Sequence, residues 1–443
     1  MIIKNIFKYN FMIIYNNMLN SLRKVVVVDG VRLPFSMANT SLKKEMAVDL
    51  SRLTMQGLLN KSALDPKLID HIIFGTVIQE PKTSNIAREA SLNAGIPKNV
   101  PSYTVSQACI SSNLAICTGA EKILSGNADI VIAGGVETFS DVPIRFSRPI
   151  RQRMISSQKA MKKGPLGLLK LLRGLKMKDF SPELPAISNF TTGEIMGVSS
   201  DRLSAVFGVS REDMDLFTLR SHQNAAKAHK NSLYAGEIIA YNGNTNENGI
   251  KENSTIEKIS KLKPVFIKDV GTHTAANSSF LTDGASASLI MSEDKALELG
   301  YKPLSYIKDW KFIACDPFEE MLLGPTYATK AILESTGLSM SDIDVFEIHE
   351  AFAGQVLSNL TAMNSDSFAN KKGWLQKVGE VDVDKMNFRG GSLSLGHPFG
   401  ATGSRLVTTA SRRLQYEDKK FALIAACADG GLGHACVLER YDN

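Results

Sequence analysis

Residues 109–135 read CISSNLAICTGAEKILSGNADIVIAGG, and this stretch decides the fold class. Between Cys109 and about Leu124 the apolar residues recur at helical spacing, which predicts an amphipathic helix beginning just after the cysteine. Residues 128–135 then form an apolar run that closes on two glycines, and we predict a turn at Gly134-Gly135. Such a run is typical of a strand covered on both faces. The stretch therefore predicts one helix-and-strand unit of a layered α/β sheet.

The far end of the chain repeats this order. His397 precedes a predicted helix at about 404–414, which is followed by an apolar strand at 421–426 and a glycine pair at 430–431. A repeated unit of this kind indicates a duplicated fold in which loops from two related halves meet at one site.

Other segments continue the alternation of strands and helices. Strands are predicted at 25–28, ending in a turn at Asp29-Gly30, and at 71–75. Residues 47–59 and 85–94 have helical spacing. This order favours an α/β protein.

Composition excludes several classes of protein. The chain has 443 residues, of which 44% are hydrophobic and 22% charged, so we expect a soluble globular protein of two or three compact units. The net charge of +6 suits anionic ligands. The sequence has no zinc-finger spacing, RNA-binding aromatic motif or long basic block, so no nucleic acid partner is predicted. The five cysteines form no CxxC pair, which argues against a disulfide framework or a metal site and favours a reducing compartment.

We predict five segments along the chain. Residues 1–24 are predicted to be a mitochondrial presequence or a disordered extension, because they are basic and no acid precedes Asp29. Residues 145–270 are predicted to form an inserted loop domain, with many basic residues around the apolar-basic run at 164–172. Such a segment lies on an anionic membrane, docks a partner or covers the core as a solvated helix. The other segments are a first half at 25–144, its completion at 271–298, and a second half at 299–443.

Cys109 is the first candidate for chemistry. Near a helix N-terminus the backbone N–H groups and the helix dipole favour a thiolate, which predicts a lowered pKa and a nucleophilic sulfur. A lone cysteine at a strand-to-helix junction is more often a small buried residue, so the prediction requires partner residues.

Two partners stand in the second half. The stretch 390–403 is rich in glycine and holds His397 just before Pro398, which gives the imidazole a rigid mount. Cys427 follows an apolar strand and precedes a glycine turn. A thiol and an imidazole in rigid loops are suitable groups for proton transfer.

Four short boxes resemble the signature of the thiolase family. They are Cys109 with Ser111, the His-Glu-Ala-Phe box at 349–352, the loop at 396–398 and the turn after Cys427. With residues 277–285 they extend over most of the chain. The resemblance implies a duplicated α/β/α/β/α layered fold with two similar halves and an inserted loop domain.

The resemblance also implies a reaction. A thiolase cleaves 3-ketoacyl-CoA with CoA to acetyl-CoA and a shortened acyl-CoA, through an acyl group on the nucleophile, here Cys109. His397 would take the proton of Cys109, and His349 would form an oxyanion hole with His397. Cys427 would protonate the departing enolate and then deprotonate CoA.

Further positions follow from the same resemblance. A second oxyanion hole is implied from the backbone N–H groups of Cys109 and Asp429. The family commonly has glycine at the latter position, and a carboxylate there opposes a developing anion unless it points away. Ser279 matches a serine near the pantetheine of CoA. CoA is a cosubstrate, and neither another cofactor nor a metal is implied.

His349, where many thiolases have asparagine, and residues 141–145 resemble one branch of the family. Its members work in mitochondrial fatty-acid oxidation with an α subunit that carries hydratase and dehydrogenase activities. This branch implies a homodimer in the mitochondrial matrix, with residues 145–180 contacting the α subunit or the inner membrane.

Three alternatives stand beside this prediction. An acetoacetyl-CoA thiolase would share the whole mechanism, and a condensing β-ketoacyl synthase would share the nucleophile but lack a second cysteine. An inactive scaffold or lipid-binding subunit would use the fold without chemistry. Cys427 favours a thiolase over a synthase, and the intact set of Cys109, His397 and Cys427 argues against a scaffold.

Overall fold

A computed structural model describes residues 23–158 and 174–442. The predicted presequence, apart from residues 23 and 24, and the run at 164–172 lie outside these ranges. Within them the strands are β1 Val25–Arg32, β2 Ser36–Met37, β3 His71–Gly75, β4 Ser102–Val105, β5 Ile130–Glu137, β6 Thr282–Ser292, β7 Ser305–Ala314, β8 Val345–Ile348, β9 Phe421–Ala428 and β10 Leu432–Arg440. The helices are α1 Ala47–Ser62, α2 Ile86–Asn93, α3 Ser111–Leu124, α4 Arg148–Ser156, α5 Met196–Val206, α6 Arg211–Lys230, α7 Ile256–Ile259, α8 Glu293–Glu298, α9 Gly324–Thr336, α10 Ala353–Met363, α11 Asp366–Lys371, α12 Ser392–Leu395 and α13 Thr402–Tyr416.

The strands pair in two similar sets. The first set has the order β4-β3-β5-β6-β1 and the second has the order β7-β10-β9-β8. In the first set β3 and β5 are parallel, and β6 and β1 continue the sheet in antiparallel pairing. In the second set β8 and β9 are parallel, and β10 and β7 continue it in antiparallel pairing. Antiparallel pairing of β1 with β7 joins the two sets. The predicted duplication of an α/β unit is therefore confirmed.

The core consists of helices layered against this sheet. Helices α3 and α13 pack on each other between the two halves, where Ile116 and Ile123 of the first meet Leu406 and Leu414 of the second in one buried cluster. Helices α1 and α2 cover the first half, and α9 and α10 cover the second. Because each fully buried aliphatic side chain contributes about 1.5–3 kcal/mol, the central helix pair fixes the halves in place. Loops at the N-termini of α3 and α13 meet there.

Two predicted turns are wrong. Gly134 and Gly135 lie inside β5, where an added Cβ at Gly135 would overlap the carbonyl of Gly400. Gly135 thus allows close approach of the loop after His397. Strand β1 likewise continues through Asp29-Gly30 with an irregularity in its pairing, because β6 supplies backbone partners on both sides of that point.

Candidate active site

Cys109 lies in a sharp turn between β4 and α3. Ala108 before it has a φ of +45°, which is unfavourable for a residue with a side chain. The hydroxyl of Ser111 stabilises this turn, because it donates to the carbonyl of Ala108 at 2.6 Å and accepts the N–H of Gln107 at 2.8 Å. Cys109 is thereby held two residues before the helix begins, as the sequence predicted.

Two histidines of the second half approach this cysteine. His349 follows β8 and His397 follows α12. One ring nitrogen of each and the Cys109 sulfur lie within 4.8 Å of one another, and the two ring centroids are 4.1 Å apart. Nδ1 of His349 bonds the Ser392 hydroxyl at 3.1 Å, and Nδ1 of His397 bonds the Thr402 hydroxyl at 2.6 Å. Both Nε2 atoms are buried without a hydrogen-bond partner in the described ranges, so they are free to bond a ligand.

Thr402 indicates which nitrogen of His397 carries the proton. The Thr402 hydroxyl donates to the carbonyl of Pro398 at 3.1 Å, so it accepts Nδ1–H from the ring. Nε2 is then the unprotonated nitrogen. The backbone N–H of His397 donates to the Thr282 hydroxyl at 3.0 Å and fixes the loop. His397 therefore presents a proton acceptor near the Cys109 thiol.

Both imidazoles are neutral at neutral pH. Burial, and then the charge of Arg405, lowers the pKa of His349 to about 3. Burial, His349 and Arg405 lower the pKa of His397 well below its usual value. Arg405 is itself buried and pairs with Glu347 at 3.2 Å. Neutral rings can accept a proton or donate to a carbonyl oxygen, which are the two functions that the resemblance implies.

The pKa of Cys109 is raised, whereas the sequence predicted a lowered pKa. Although the residue keeps some solvent contact, its dense surroundings and then the Asp429 carboxylate raise the pKa to about 12. The backbone N–H groups of Asp429 and Cys109 act in the opposite direction. The expected lowering is wrong for the protein without ligand, because desolvation outweighs the helix terminus. A thiolate must form together with transfer of its proton to a neighbour.

A second sulfur lies beside the first. Cys427 is near the end of β9 and is 1% exposed. Burial and then the adjacent Cys109 raise the pKa of Cys427 well above its usual value. The structure thus brings together Cys109 and the two histidines, which lie on three loops, with Cys427 near the end of strand β9.

Asp429 occupies the turn between β9 and β10. Its backbone N–H lies near the Cys109 sulfur and favours the thiolate, which lowers the pKa of Cys109. Its carboxylate accepts the side-chain amide of Asn189 at 2.8 Å, so the side chain has a partner in the inserted region. Sequence reasoning did not single out Asn189, and no local pattern marks it.

Ser279 lies in an extended segment between the two histidine loops. Its N–H donates to the carbonyl of Ala351 in the His-Glu-Ala-Phe box at 2.9 Å, and Leu281 pairs with His397. Ser279 is partly exposed at this position. Ser279 therefore lies on the segment that links both imidazole loops.

Glu137 is a buried residue that sequence reasoning missed. It accepts hydrogen bonds from the N–H groups of Val77, Ile78 and Gly400 and from the Thr76 hydroxyl. Burial raises the pKa of Glu137 to about 7 even though these donors act in the opposite direction. The residue ties the loop after β3 to the loop after His397. The sequence does mark Glu137, because it is an acidic residue at the end of the apolar strand β5.

Ser200 and Asp201 of the inserted region, together with His273 just after it, have the geometry of a hydrolytic triad. The Ser200 hydroxyl lies 2.9 Å from Nε2 of His273, whose Nδ1 lies 2.8 Å from Asp201. Ser200 and His273 are fully buried, so no substrate reaches the hydroxyl. His273 packs edge-on against Phe352, with ring centroids 5.5 Å apart. The set thus supports the His-Glu-Ala-Phe box structurally.

Cys109, His349 and His397 also have the donor atoms of a soft metal site. Their ligand atoms lie within 4.8 Å of one another. The ligands of a tetrahedral zinc ion are about 3.5 Å apart, so the side chains would have to move inward to hold one. The two Nε2 atoms remain available to bond a substrate oxygen.

The chain matches two family models that cover nearly its whole length. Residues 25–294 match the model described as thiolase, N-terminal domain, and residues 301–440 match thiolase, C-terminal domain. The mitochondrial trifunctional enzyme subunit beta of Bos taurus is 52% identical over 95% of this chain and 89% of its own. A probable 3-ketoacyl-CoA thiolase of Caenorhabditis elegans is 50% identical over 94% of both chains. The crystal structure of human mitochondrial 3-ketoacyl-CoA thiolase in complex with CoA is similar with a TM-score of 0.80 at 29% identity, over 95% of this chain and 99% of the other.

Proposed function

Because this chain belongs to the thiolase family, we propose that it is a 3-ketoacyl-CoA thiolase of fatty-acid β-oxidation. It is an acyltransferase that cleaves 3-ketoacyl-CoA with CoA to acetyl-CoA and a shortened acyl-CoA. One observation carries the proposal: two neutral imidazoles with free Nε2 atoms lie beside one thiol, with a second thiol adjacent.

Acylation begins at Cys109. Its proton passes to Nε2 of His397, and the sulfur bonds the ketone carbon of the substrate. The bond from this carbon to the neighbouring CH₂ then breaks, which leaves the acyl group on Cys109 and the electron pair on the enolate of acetyl-CoA. His349 and the newly protonated His397 donate to the thioester oxygen, where the enolate charge collects.

Cys427 completes the cycle. Its thiol protonates the enolate carbon to give acetyl-CoA, and the resulting thiolate takes the proton of the incoming CoA thiol. CoA sulfur then bonds the acyl carbon, and Cys109 leaves and recovers its proton from His397. The backbone N–H groups of Cys109 and Asp429 donate to the oxyanion on the acyl carbon. Loss of one such donor costs about 2.7–4 kcal/mol in comparable sites.

CoA is proposed as the cosubstrate, with Ser279 beside its pantetheine arm. The partial exposure of Ser279 and its place between the imidazole loops support this assignment. Ser279→Ala should raise the KM for CoA more than it lowers kcat, and steady-state kinetics with CoA as the varied substrate checks this.

The proposed domain division places 25–144 with 271–298 in the first half, 145–270 as the insertion and 299–443 as the second half. Strand β6 supports it, because this strand lies between β5 and β1 and completes the sheet of the first half. Limited proteolysis should cut first within 145–270 and leave both halves intact.

The test of function is CoA-dependent cleavage of acetoacetyl-CoA and 3-ketopalmitoyl-CoA. The protein should cleave the longer substrate well, Cys109→Ser should be inactive, and mass spectrometry should find an acyl group on Cys109. Cys117→Ala is the matched control, because Cys117 is a buried thiol on the helix that follows Cys109. Cleavage of acetoacetyl-CoA alone would favour the short-chain alternative. Absence of an acyl adduct would favour the scaffold alternative.

The similarity to a mitochondrial trifunctional enzyme subunit beta supports a location and a partner. We place the protein in the mitochondrial matrix as a homodimer that works with an α subunit carrying hydratase and dehydrogenase activities. Fractionation of mitochondria and copurification with the α subunit test this placement.

Residues 145–180 are the proposed contact with the α subunit or the inner membrane. Phe146, Met177 and Phe180 have exposed fractions of 59%, 87% and 51%. Arg145 and Arg151 stand beside them and pair with Glu183. Within the described ranges, no helix is both long and apolar enough to cross a bilayer. An exposed apolar surface with basic residues suits an anionic lipid surface or a protein partner.

Substitution of exposed side chains tests this surface. Met177→Ser with Phe180→Ser should weaken either copurification with the α subunit or sedimentation with vesicles of anionic phospholipid, and the affected assay identifies the contact. Leu375→Ser is the control, because Leu375 is fully exposed outside the inserted region. Unchanged behaviour in both assays would contradict the proposal.

A further inference from the structure

Asp429 places a carboxylate next to the reacting sulfur. Its backbone N–H lies near the Cys109 sulfur and favours the thiolate, so the Asp429 side chain belongs to a residue close to the reacting atom. The negative charge raises the pKa of Cys109. The same charge would oppose an oxyanion held by that N–H. The direction in which the Asp429 side chain points therefore matters for catalysis.

Asn189 determines that direction. Its Nδ2 donates to the Asp429 carboxylate at 2.8 Å. Its Oδ1 accepts the backbone N–H groups of Thr191 and Thr192 at 3.0 and 2.9 Å. Because both bonds to Oδ1 come from fixed backbone groups, the amide has one orientation, with Nδ2 toward the carboxylate. Asn189 is only 8% exposed, so water competes little for this bond.

The amide belongs to a small hairpin of the inserted region. Ser188 pairs with Ile195, and the N–H of Asn189 donates to the carbonyl of Glu194 at 2.9 Å. The Glu194 carboxylate accepts from Arg202 of α5 at 3.0 Å. The hairpin at 188–195 is therefore anchored on a helix, and a single side-chain bond joins it to the turn that carries Asp429.

We propose that the Asn189–Asp429 hydrogen bond is a positioning device, which holds the Asp429 carboxylate away from the oxyanion that forms beside Cys109. This inference rests on the proposed thiolase function for its catalytic consequence. Asn189 acts through Asp429 and does not touch the substrate. The hydrogen bond allows aspartate to occupy position 429, although the backbone N–H of that residue must stabilise the oxyanion.

Two single substitutions separate the effect of the Asn189–Asp429 hydrogen bond from the effect of the Asp429 charge. Asn189→Asp keeps an oxygen for the N–H groups of Thr191 and Thr192, so the hairpin is preserved, but it removes the donor and faces Asp429 with a second carboxylate. Asp429→Asn removes the charge and keeps an acceptor for Asn189. We expect Asn189→Asp to lower kcat by roughly 10- to 100-fold, less than the loss of a whole oxyanion donor.

The exchanged pair is the decisive variant. In Asn189→Asp with Asp429→Asn, the amide at position 429 can donate to the carboxylate at position 189, so the hydrogen bond is restored with its polarity reversed. kcat should recover relative to Asn189→Asp alone. Thermal unfolding shows that each variant is folded. Failure of the exchanged pair to recover kcat would overturn the proposal, because a purely structural hairpin residue gains nothing from the exchange.

The pH profile of Cys109 alkylation by iodoacetamide, measured without substrate, gives an independent readout. The profile should move to higher pH in Asn189→Asp and to lower pH in Asp429→Asn. Identical profiles in the wild-type protein and both variants would overturn the proposal. This assay needs no turnover, so it decides the inference even if the wild-type protein fails to cleave 3-ketoacyl-CoA and the proposed function falls.

Discussion

The raised pKa of Cys109 predicts a slow free thiol. A pKa of about 12, compared with 9.0 for an ordinary cysteine, leaves a thiolate fraction of about 10⁻⁴ at pH 8 in place of about 10⁻¹. The difference of about 3 pKa units corresponds to about 4 kcal/mol. Alkylation of Cys109 by iodoacetamide in the protein without substrate should therefore rise about tenfold per pH unit between about pH 7 and pH 10, without a plateau.

The assay must follow Cys109 by site-resolved mass spectrometry, because Cys315 is also partly exposed. Burial raises the pKa of Cys315 to about 12 as well, so Cys315 provides an internal comparison in the same sample. Cys109→Ser gives the rate of alkylation at the other thiols. A plateau with a midpoint below pH 9 would show a resting thiolate–imidazolium pair with His397. That result would refute the reasoning that burial dominates the site.

Four further outcomes are expected. Cys427→Ala should lower the rate of thiolysis about 10²- to 10⁴-fold while Cys109 is still alkylated, as enzyme assays and mass spectrometry will show. Glu347→Gln leaves two buried arginines without their shared carboxylate and should destabilise the fold by about 3–5 kcal/mol in urea unfolding. Gly135→Ala should abolish activity, because its Cβ would overlap the carbonyl of Gly400 and displace the loop of the catalytic histidine. Burial raises the pKa values of Cys117 and Cys427 in the folded protein. The stability that these neutral thiols contribute is complete below about pH 9 and is lost as the pH rises through their folded pKa values. The melting temperature should therefore fall in strongly alkaline buffer.

The sequence predicts most of the fold because its signals are local. The strand at His71–Gly75 and the helix after Cys109 are confirmed within a residue or two, since apolar spacing and flanking glycines mark their ends. The duplication is also visible in the sequence, because each half repeats a loop, a helix and an apolar strand. From that repeat one can infer that Cys109 and His397 meet, although 288 residues separate them.

The features that the sequence misses depend on distant neighbours. Gly134 and Gly135 look like a turn, but they are strand residues: Gly135 makes room for the loop after His397, and Gly134 packs against the neighbouring strand β6. The pKa of Cys109 depends on desolvation, which no local pattern reveals. Asn189 is significant only because Asp429, far along the chain, accepts its amide. Predictions from local sequence patterns fail where the two halves contact each other, or where the inserted region contacts one of them.

The charges around the site explain how a buried thiol can still react. Arg405 disfavours the imidazolium forms of His349 and His397, and Asp429 disfavours the thiolate of Cys109. Both charges therefore stabilise the neutral thiol–imidazole pair while the site lacks substrate. When negative charge develops on a thioester oxygen bonded to the two Nε2 atoms, the same Arg405 charge attracts it, and a protonated His397 gains a partner. Because the ionised pair becomes favourable only with a bound substrate, the nucleophile is formed at the moment of attack and is protected from other electrophiles at all other times.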